Sequence, residues 1–334
     1  MTLDRLALSR ATLDRAAHRR GDPALLGGLV RDPGTLAVVL LGERAPVLDD
    51  ADADGARLAL LPAPQGMALL DHVRRATGAS GDPLEVFLGE DIAGRPHVLL
   101  AAPGPPATLV PVPTGPAADL PPPPVGHWAG LREVGVMLDD TGAGLLTTSV
   151  AVANWHASHP RCARCGQPTE VIQSGWARQC PACGAEHFPR TDPAVIMSVI
   201  DDAGRILLGH QSRWPDRRFS TLAGFVEPGE SLEGAVRREV FEESGIHVTD
   251  VTYMGCQPWP FPSSLMLGFR ARAGSTQVQV DGEELADARW WTRDQLGADV
   301  AAREVLLPPR VSIARRLIED WFGGPILDAA EAWR

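Results

Sequence analysis

Two residue patterns in this 334-residue chain have the types and spacing to do chemistry. The first is a pair of Cys-x-x-Cys motifs, Cys162/Cys165 and Cys180/Cys183, with 14 residues between them. Two such pairs offer four soft sulfur ligands to one tetrahedral Zn²⁺. Gly166 and Gly184, directly after each motif, permit a tight turn around the ion. One Cys-x-x-Cys alone could be redox-active, but two at this separation favour zinc. Four thiolates leave no open coordination position, so the zinc expected here is structural, one ion per chain. His156 and His159, just before the first pair, are expected to end a helix and not to bind metal. The fifth cysteine, Cys256, has no partner nearby in sequence and reads as a small buried apolar residue.

The second pattern is a run of glutamates on a predicted helix from Ser231 to Ser244. Ser231 is a suitable N-cap and Gly245 the expected left-handed stop. Leu232, Val236 and Val240 repeat at i, i+4 and mark a buried edge. Glu239, Glu242 and Glu243 stand at i, i+3 and i+4, so their carboxylates share one face. Mutual repulsion and the helix dipole each disfavour them by about a few tenths of a kcal/mol. A solvated acidic face could tolerate that, whereas a hard divalent cation would use it.

The surroundings of that helix decide between the two. Gly224, five residues, Glu230, seven residues, Arg238-Glu239, an apolar residue, any residue, Glu242-Glu243, any residue, Gly245 and apolar Ile246 match all nine constrained positions of the Nudix box. The chain thus resembles the Nudix hydrolases, which cleave a nucleoside diphosphate linked to another moiety. The resemblance implies Mg²⁺ or Mn²⁺ held by Glu239, Glu242 and Glu243, with the backbone carbonyl of Ala223 as a further ligand. It implies Arg238 as an orienting ion-pair partner and Glu230 as a residue behind the ligands.

The segment Gln257-Pro258-Trp259-Pro260-Phe261-Pro262-Ser263-Ser264 alternates prolines with aromatics and presents a rigid, ring-bearing loop. Placed after the box, and with a zinc ribbon before it, this array is similar to that of the NADH pyrophosphatases, which also act as NAD-capped RNA hydrolases. The resemblance is strong over about residues 128–322. It implies substrate contacts from Gln257 through Ser264, from Phe188 and Phe225 stacking on the adenine, and from the backbone at Ala314. It adds Glu284 as a metal-binding glutamate outside the helix and so to the catalytic set of Glu239, Glu242 and Glu243. Two positions depart from the family pattern: Cys256 replaces the usual Ser, and Gly175 stands where some members have a substrate-contacting Glu. The implied reaction is hydrolysis of the pyrophosphate of NADH or NAD⁺ to nicotinamide mononucleotide and AMP, and removal of NAD caps from RNA. A Nudix hydrolase of ADP-ribose or dinucleoside polyphosphates is the alternative, and a catalytically silent nucleotide sensor is a third reading. A homodimer is implied on family grounds.

The elements that must position these residues follow from the rest of the chain. Length predicts about two domains and a small insert. The fold expected is α+β. It has an N-terminal α/β domain over 1–125, a helical connector over 126–159, the ribbon over 160–190 and a Nudix α/β/α sandwich with a mixed sheet over 191–325. Apolar runs at 36–41, 58–61, 84–88 and 97–101 have strand length, and 67–76 has helical spacing. Residues 103–124 hold ten prolines and read as an extended connector. Helices are expected at about 128–139 and 145–158, and a hairpin from 194–200 and 205–209.

Composition narrows the chemistry further. All 31 basic residues are Arg, which excludes a lysine Schiff base or a P-loop lysine. A net charge of −11 disfavours general nucleic-acid binding, which depends on neutralising phosphates. No apolar run reaches the ~18 residues of a membrane span, and the N-terminus lacks a secretory core. No membrane association is expected, and a cytoplasmic location is.

Overall fold

The computed structural model describes residues 2–50, 55–77, 82–102, 120–280 and 282–327. The proline-rich connector lies, up to residue 119, outside them. Two compact units are present: Met1–Ala7 with Asp192–Pro258 and Ser264–Arg334, and Leu8–Thr191 with Trp259–Ser263.

In the Leu8–Thr191 unit, the described residues form a seven-stranded sheet: five strands run in the order Ala56–Leu58, Arg44–Asp49, Leu36–Leu41, Pro96–Ala102, Leu84–Glu90, while Leu61–Pro62 pairs with Leu36–Leu41 and His127–Gly130 with Arg44–Asp49. Leu36–Leu41 lies parallel to Pro96–Ala102 and its residues 37 to 41 are all buried. The unbroken apolar run is what a strand needs when both its faces are covered. Helices Ala63–Thr77 and Asp140–Ser158 both pack on this strand. The single strand expected at 58–61 is instead two short pieces, Ala56–Leu58 and Leu61–Pro62, which pair with different neighbours.

The helix expected at 128–139 is also corrected. His127–Gly130 is a strand in register with Arg44–Val47, and only Leu131–Val134 forms a helical turn. Trp128 and Ala129 are buried by sheet pairing, and the backbone of Gly130 is extended. The next helix starts earlier than expected, at Asp140, where the Asp139 side chain accepts the Gly142 N–H. The ribbon follows as three short antiparallel strands, Glu170–Ile172, Ala177–Gln179 and Glu186–His187.

The other unit is built on the strand Asp192–Ile200. It pairs in parallel with Ser264–Ala273 and antiparallel with Ile206–Gln211 and Leu222–Phe225, which makes the sheet mixed. Val195, Met197 and Val199 pack in one cluster with Val236 and Val240 of the helix Leu232–Ser244. Ile196, between them in sequence, joins the cluster of Ile313 and Leu317 from the helix Ile313–Phe322. The alternation follows from the two-residue repeat of a strand and gives an α/β/α sandwich. Among the described residues, no helix is long and apolar enough to cross a membrane.

Candidate active site

The glutamate helix runs Leu232–Ser244. Its N-cap Ser231 accepts the Gly234 N–H at 3.1 Å, and Gly245 ends it with φ 68°. Burying Val236 and Val240 against the sheet turns Glu239 and Glu243 inward, leaving them 9% and 3% exposed. Glu242 stays exposed.

Arg238 organises this face. Its Nε and Nη2 donate to the two carboxylate oxygens of Glu230 at 2.9 Å, a bidentate pair. Nη1 donates to Glu239 at 2.8 Å and Glu242 at 2.9 Å, and Nη2 also reaches the Phe225 carbonyl at 2.8 Å. Five N–H donors thus meet five acceptors. Arg238 holds the Glu230 carboxyl below the usual carboxylate range. Glu239 is pushed the other way, first by burial, against the pull of Arg238, and further by the charges of Glu242 and Glu284. Glu284, just before the strand Leu285–Trp291, therefore lies within electrostatic reach of the helix.

The strand Leu222–Phe225 supplies the floor, with Ala223 opposite Ile196 and Gly224 opposite Val195. A Cβ on Gly224 would stand 1.8 Å from Cδ of Glu239. Glycine is required there because the carboxylate lies directly against the backbone. These residues fit a hard divalent cation: their donors are carboxylate oxygens sharing one helix face. Among the described residues, the four cysteines are the one group of three or more His, Cys, Asp or Glu whose ligand atoms all lie within 4.8 Å.

In the ribbon, Sγ–Sγ separations are 3.6 Å for Cys162–Cys183, 3.5 Å for Cys165–Cys180 and 3.6 Å for Cys165–Cys183. Matched turns deliver them. Cys162 and Cys180 donate N–H to Gln167 and Ala185, and accept from Gly166 and Gly184. The set fits a closed structural zinc site. His156 is outside it, buried at the end of its helix with Nε2 2.9 Å from the Gly175 carbonyl and Nδ1 2.9 Å from Arg178. Burial, with Arg178 adding, lowers its pKa to about 4.

The remaining expected site residues are scattered over both units. Phe188 and Phe225 are exposed rings, 59% and 50% accessible, one in each unit. Gln257 is fully buried, and its amide donates to the Val311 carbonyl at 3.0 Å. Trp259 and Phe261 pack edge to face with centroids 5.1 Å apart. Ala314 is buried and its N–H meets Ser312 Oγ at 3.2 Å, the cap of the helix Ile313–Phe322. Cys256 is half-buried against Tyr253, not fully buried as expected. Gly175 has φ 93°, and a Cβ there would meet Val86 at 2.7 Å. Its departure from the family's Glu is therefore a matter of packing, since no longer side chain fits that backbone.

Comparison with known proteins agrees with this geometry. Residues 190–315 match the NUDIX domain, and 157–188 match the NADH pyrophosphatase zinc ribbon domain. An NAD-capped RNA hydrolase NudC of Mycobacterium bovis is 44% identical over 248 residues, covering 72% of this chain and 75% of that protein. The chain belongs to the zinc-ribbon NADH pyrophosphatase family of Nudix hydrolases. Within that family, the NAD-capped RNA hydrolase NudC of Mycobacterium tuberculosis is 43% identical over the same extent. The human NAD-capped RNA hydrolase NUDT12 is 44% identical over 199 residues, 56% of this chain and 43% of its own length. A Nudix hydrolase of this family needs a divalent metal besides its structural zinc.

Proposed function

We propose that this chain hydrolyses the pyrophosphate of NADH or NAD⁺ to nicotinamide mononucleotide and AMP, and removes NAD caps from RNA to leave a 5′-monophosphate. The observation that carries the reading is the Arg238-braced face of Glu239, Glu242 and Glu243, laid against Gly224 and joined by Glu284. It supports a metal-dependent phosphoryl site, and the relatives' names supply the dinucleotide. ADP-ribose hydrolysis and a silent sensor remain the readings to be excluded by assay.

In this reading Glu239, Glu242, Glu243, Glu284 and the Ala223 carbonyl hold Mg²⁺ or Mn²⁺. A cation held there would supply charge neutralisation for the doubly anionic pyrophosphate and a lowered pKa for an attacking water. The protein's own part is to fix that geometry. Arg238 pins Glu239 and Glu242 in defined rotamers, and Glu230 fixes Arg238 in turn. A water oxygen forms the new P–O bond as the bridging P–O bond breaks, so each product keeps one phosphate and a proton is released. Phe188 and Phe225 stack on the adenine, Gln257 through Ser264 line the dinucleotide, and Ala314 contributes a backbone contact. We further propose a cytoplasmic homodimer with domain limits at 125, 159, 190 and 325. Four reduced cysteines suit that compartment.

The test is an assay of NADH, NAD⁺, ADP-ribose and NAD-capped RNA with Mg²⁺ or Mn²⁺ and product mass analysis. Mononucleotide plus AMP, and 5′-monophosphate RNA, are expected. Cleavage of ADP-ribose in preference to all three NAD substrates would overturn the reading.

A further inference from the structure

The loop Trp259–Ser263 has few bonds of its own: Phe261 N–H donates to the Trp259 carbonyl at 2.7 Å, and the two rings pack edge to face. Pro258, Pro260 and Pro262 carry no N–H, so alternate residues have nothing to donate to a ladder. Further support comes from elsewhere in its own unit. The Pro260 carbonyl accepts from Nδ2 of Asn154 at 2.8 Å, a buried bond from the helix Asp140–Ser158. The Arg132 guanidinium lies over the Phe261 ring, 3.9 Å from its centroid, and 5.8 Å from that of Trp259. Glu43, half-buried, interacts electrostatically with Arg132.

We propose that Asn154 is a positioning residue for the Trp259 and Phe261 rings: it holds the loop's main chain, while Arg132 backs the Phe261 ring. The inference rests on the reading of this loop as part of the dinucleotide site. A single buried hydrogen bond adds little net stability. Fixing one conformation of a donor-poor loop is what such a bond does that apolar packing does not.

The test uses the full-length protein with NADH as substrate. Asn154→Ala removes the donor without adding bulk. It should raise KM roughly 10-fold, the scale of one lost stacking contact, with kcat within about twofold. Asn154→Gln, which keeps an amide, should recover part of the loss. Trp259→Ala reports on the loop reading itself and should raise KM at least as much. A raised KM in Trp259→Ala with unchanged KM in Asn154→Ala would overturn the positioning role while leaving the loop at the substrate. Unchanged KM in Trp259→Ala would remove the substrate loop and the inference with it. Loss of kcat and Tm together in Asn154→Ala, with no recovery in Asn154→Gln, would make the contact purely structural and overturn the proposal.

Discussion

The ribbon cysteines and the glutamates proposed to hold the divalent metal are arranged in different ways. Four sulfurs converge to within 4.8 Å around one point, each Cys-x-x-Cys closed by a glycine turn. Among the glutamates, one nitrogen of Arg238 bonds both Glu239 and Glu242, and Glu242 stays exposed. A site that keeps its metal closes its shell; one proposed to admit a pyrophosphate and a water must leave coordination positions open. The contrast lies in ligand softness, and also in what the neighbours do. Backbone turns bring the cysteines together, whereas Arg238 braces Glu239 and Glu242.

The largest effect should come from removing one charge on the glutamate side. Glu243→Gln, at a residue 3% exposed, should lower kcat on the order of 10³-fold while fold and zinc content stay intact. Near-wild-type rates at saturating Mg²⁺ would remove Glu243 from the metal set. Next in size is Gly224→Ala. The new Cβ would overlap Glu239 and must shift it by about an ångström, which should cost roughly 100-fold in rate. Steady-state kinetics with a divalent-metal titration would register both the lower kcat and a weaker metal response; an unchanged enzyme would mean that Glu239 does not need its place.

The closed side has its own sensitivity. His156, bonded to Gly175 beside the ribbon, has its folded pKa lowered from 6.5 to about 4. A lowered value means stability that is present above about pH 6.5 and lost as pH falls toward 4, because the unfolded chain binds the proton first. The loss amounts to about 3 kcal/mol at most. Unfolding curves of wild type and His156→Gln between pH 7 and 4 isolate it, since acid release of zinc affects both alike. Parallel curves would contradict the buried neutral ring. The smallest effect belongs to the exposed rings. Phe225→Ala should raise KM for NADH by roughly 10-fold, with kcat less affected. Unchanged kinetics would leave adenine recognition to other groups.

These differences also mark what was legible in the sequence. The helix limits at Ser231 and Gly245 could be read because a cap and a left-handed stop are written in single residues. The ribbon could be read because its ligands are close in sequence. The strand His127–Gly130 could not, since its apolar spacing suits a helix and only pairing with Arg44–Val47 makes it extended. Arg238 was legible as an ion-pair partner, but the Phe225 carbonyl and Glu230 as its bidentate acceptor required the fold. Nothing in sequence ties Asn154 to Pro260, 106 positions away, or Glu43 to Arg132. Gly175 looked like a lost substrate contact until Val86 showed that no side chain fits there.

The central claim is that the two metal sets have separate duties, and one preparation can test it. The protein is dialysed free of loosely bound metal, its zinc is counted by elemental analysis, and NADH cleavage is followed before and after adding Mg²⁺ or Mn²⁺. The expected result is one zinc per chain throughout, no turnover in its sole presence, and full turnover on adding the divalent ion, with mononucleotide and AMP as products. Turnover that follows zinc content, or that proceeds without any added divalent ion, would contradict it.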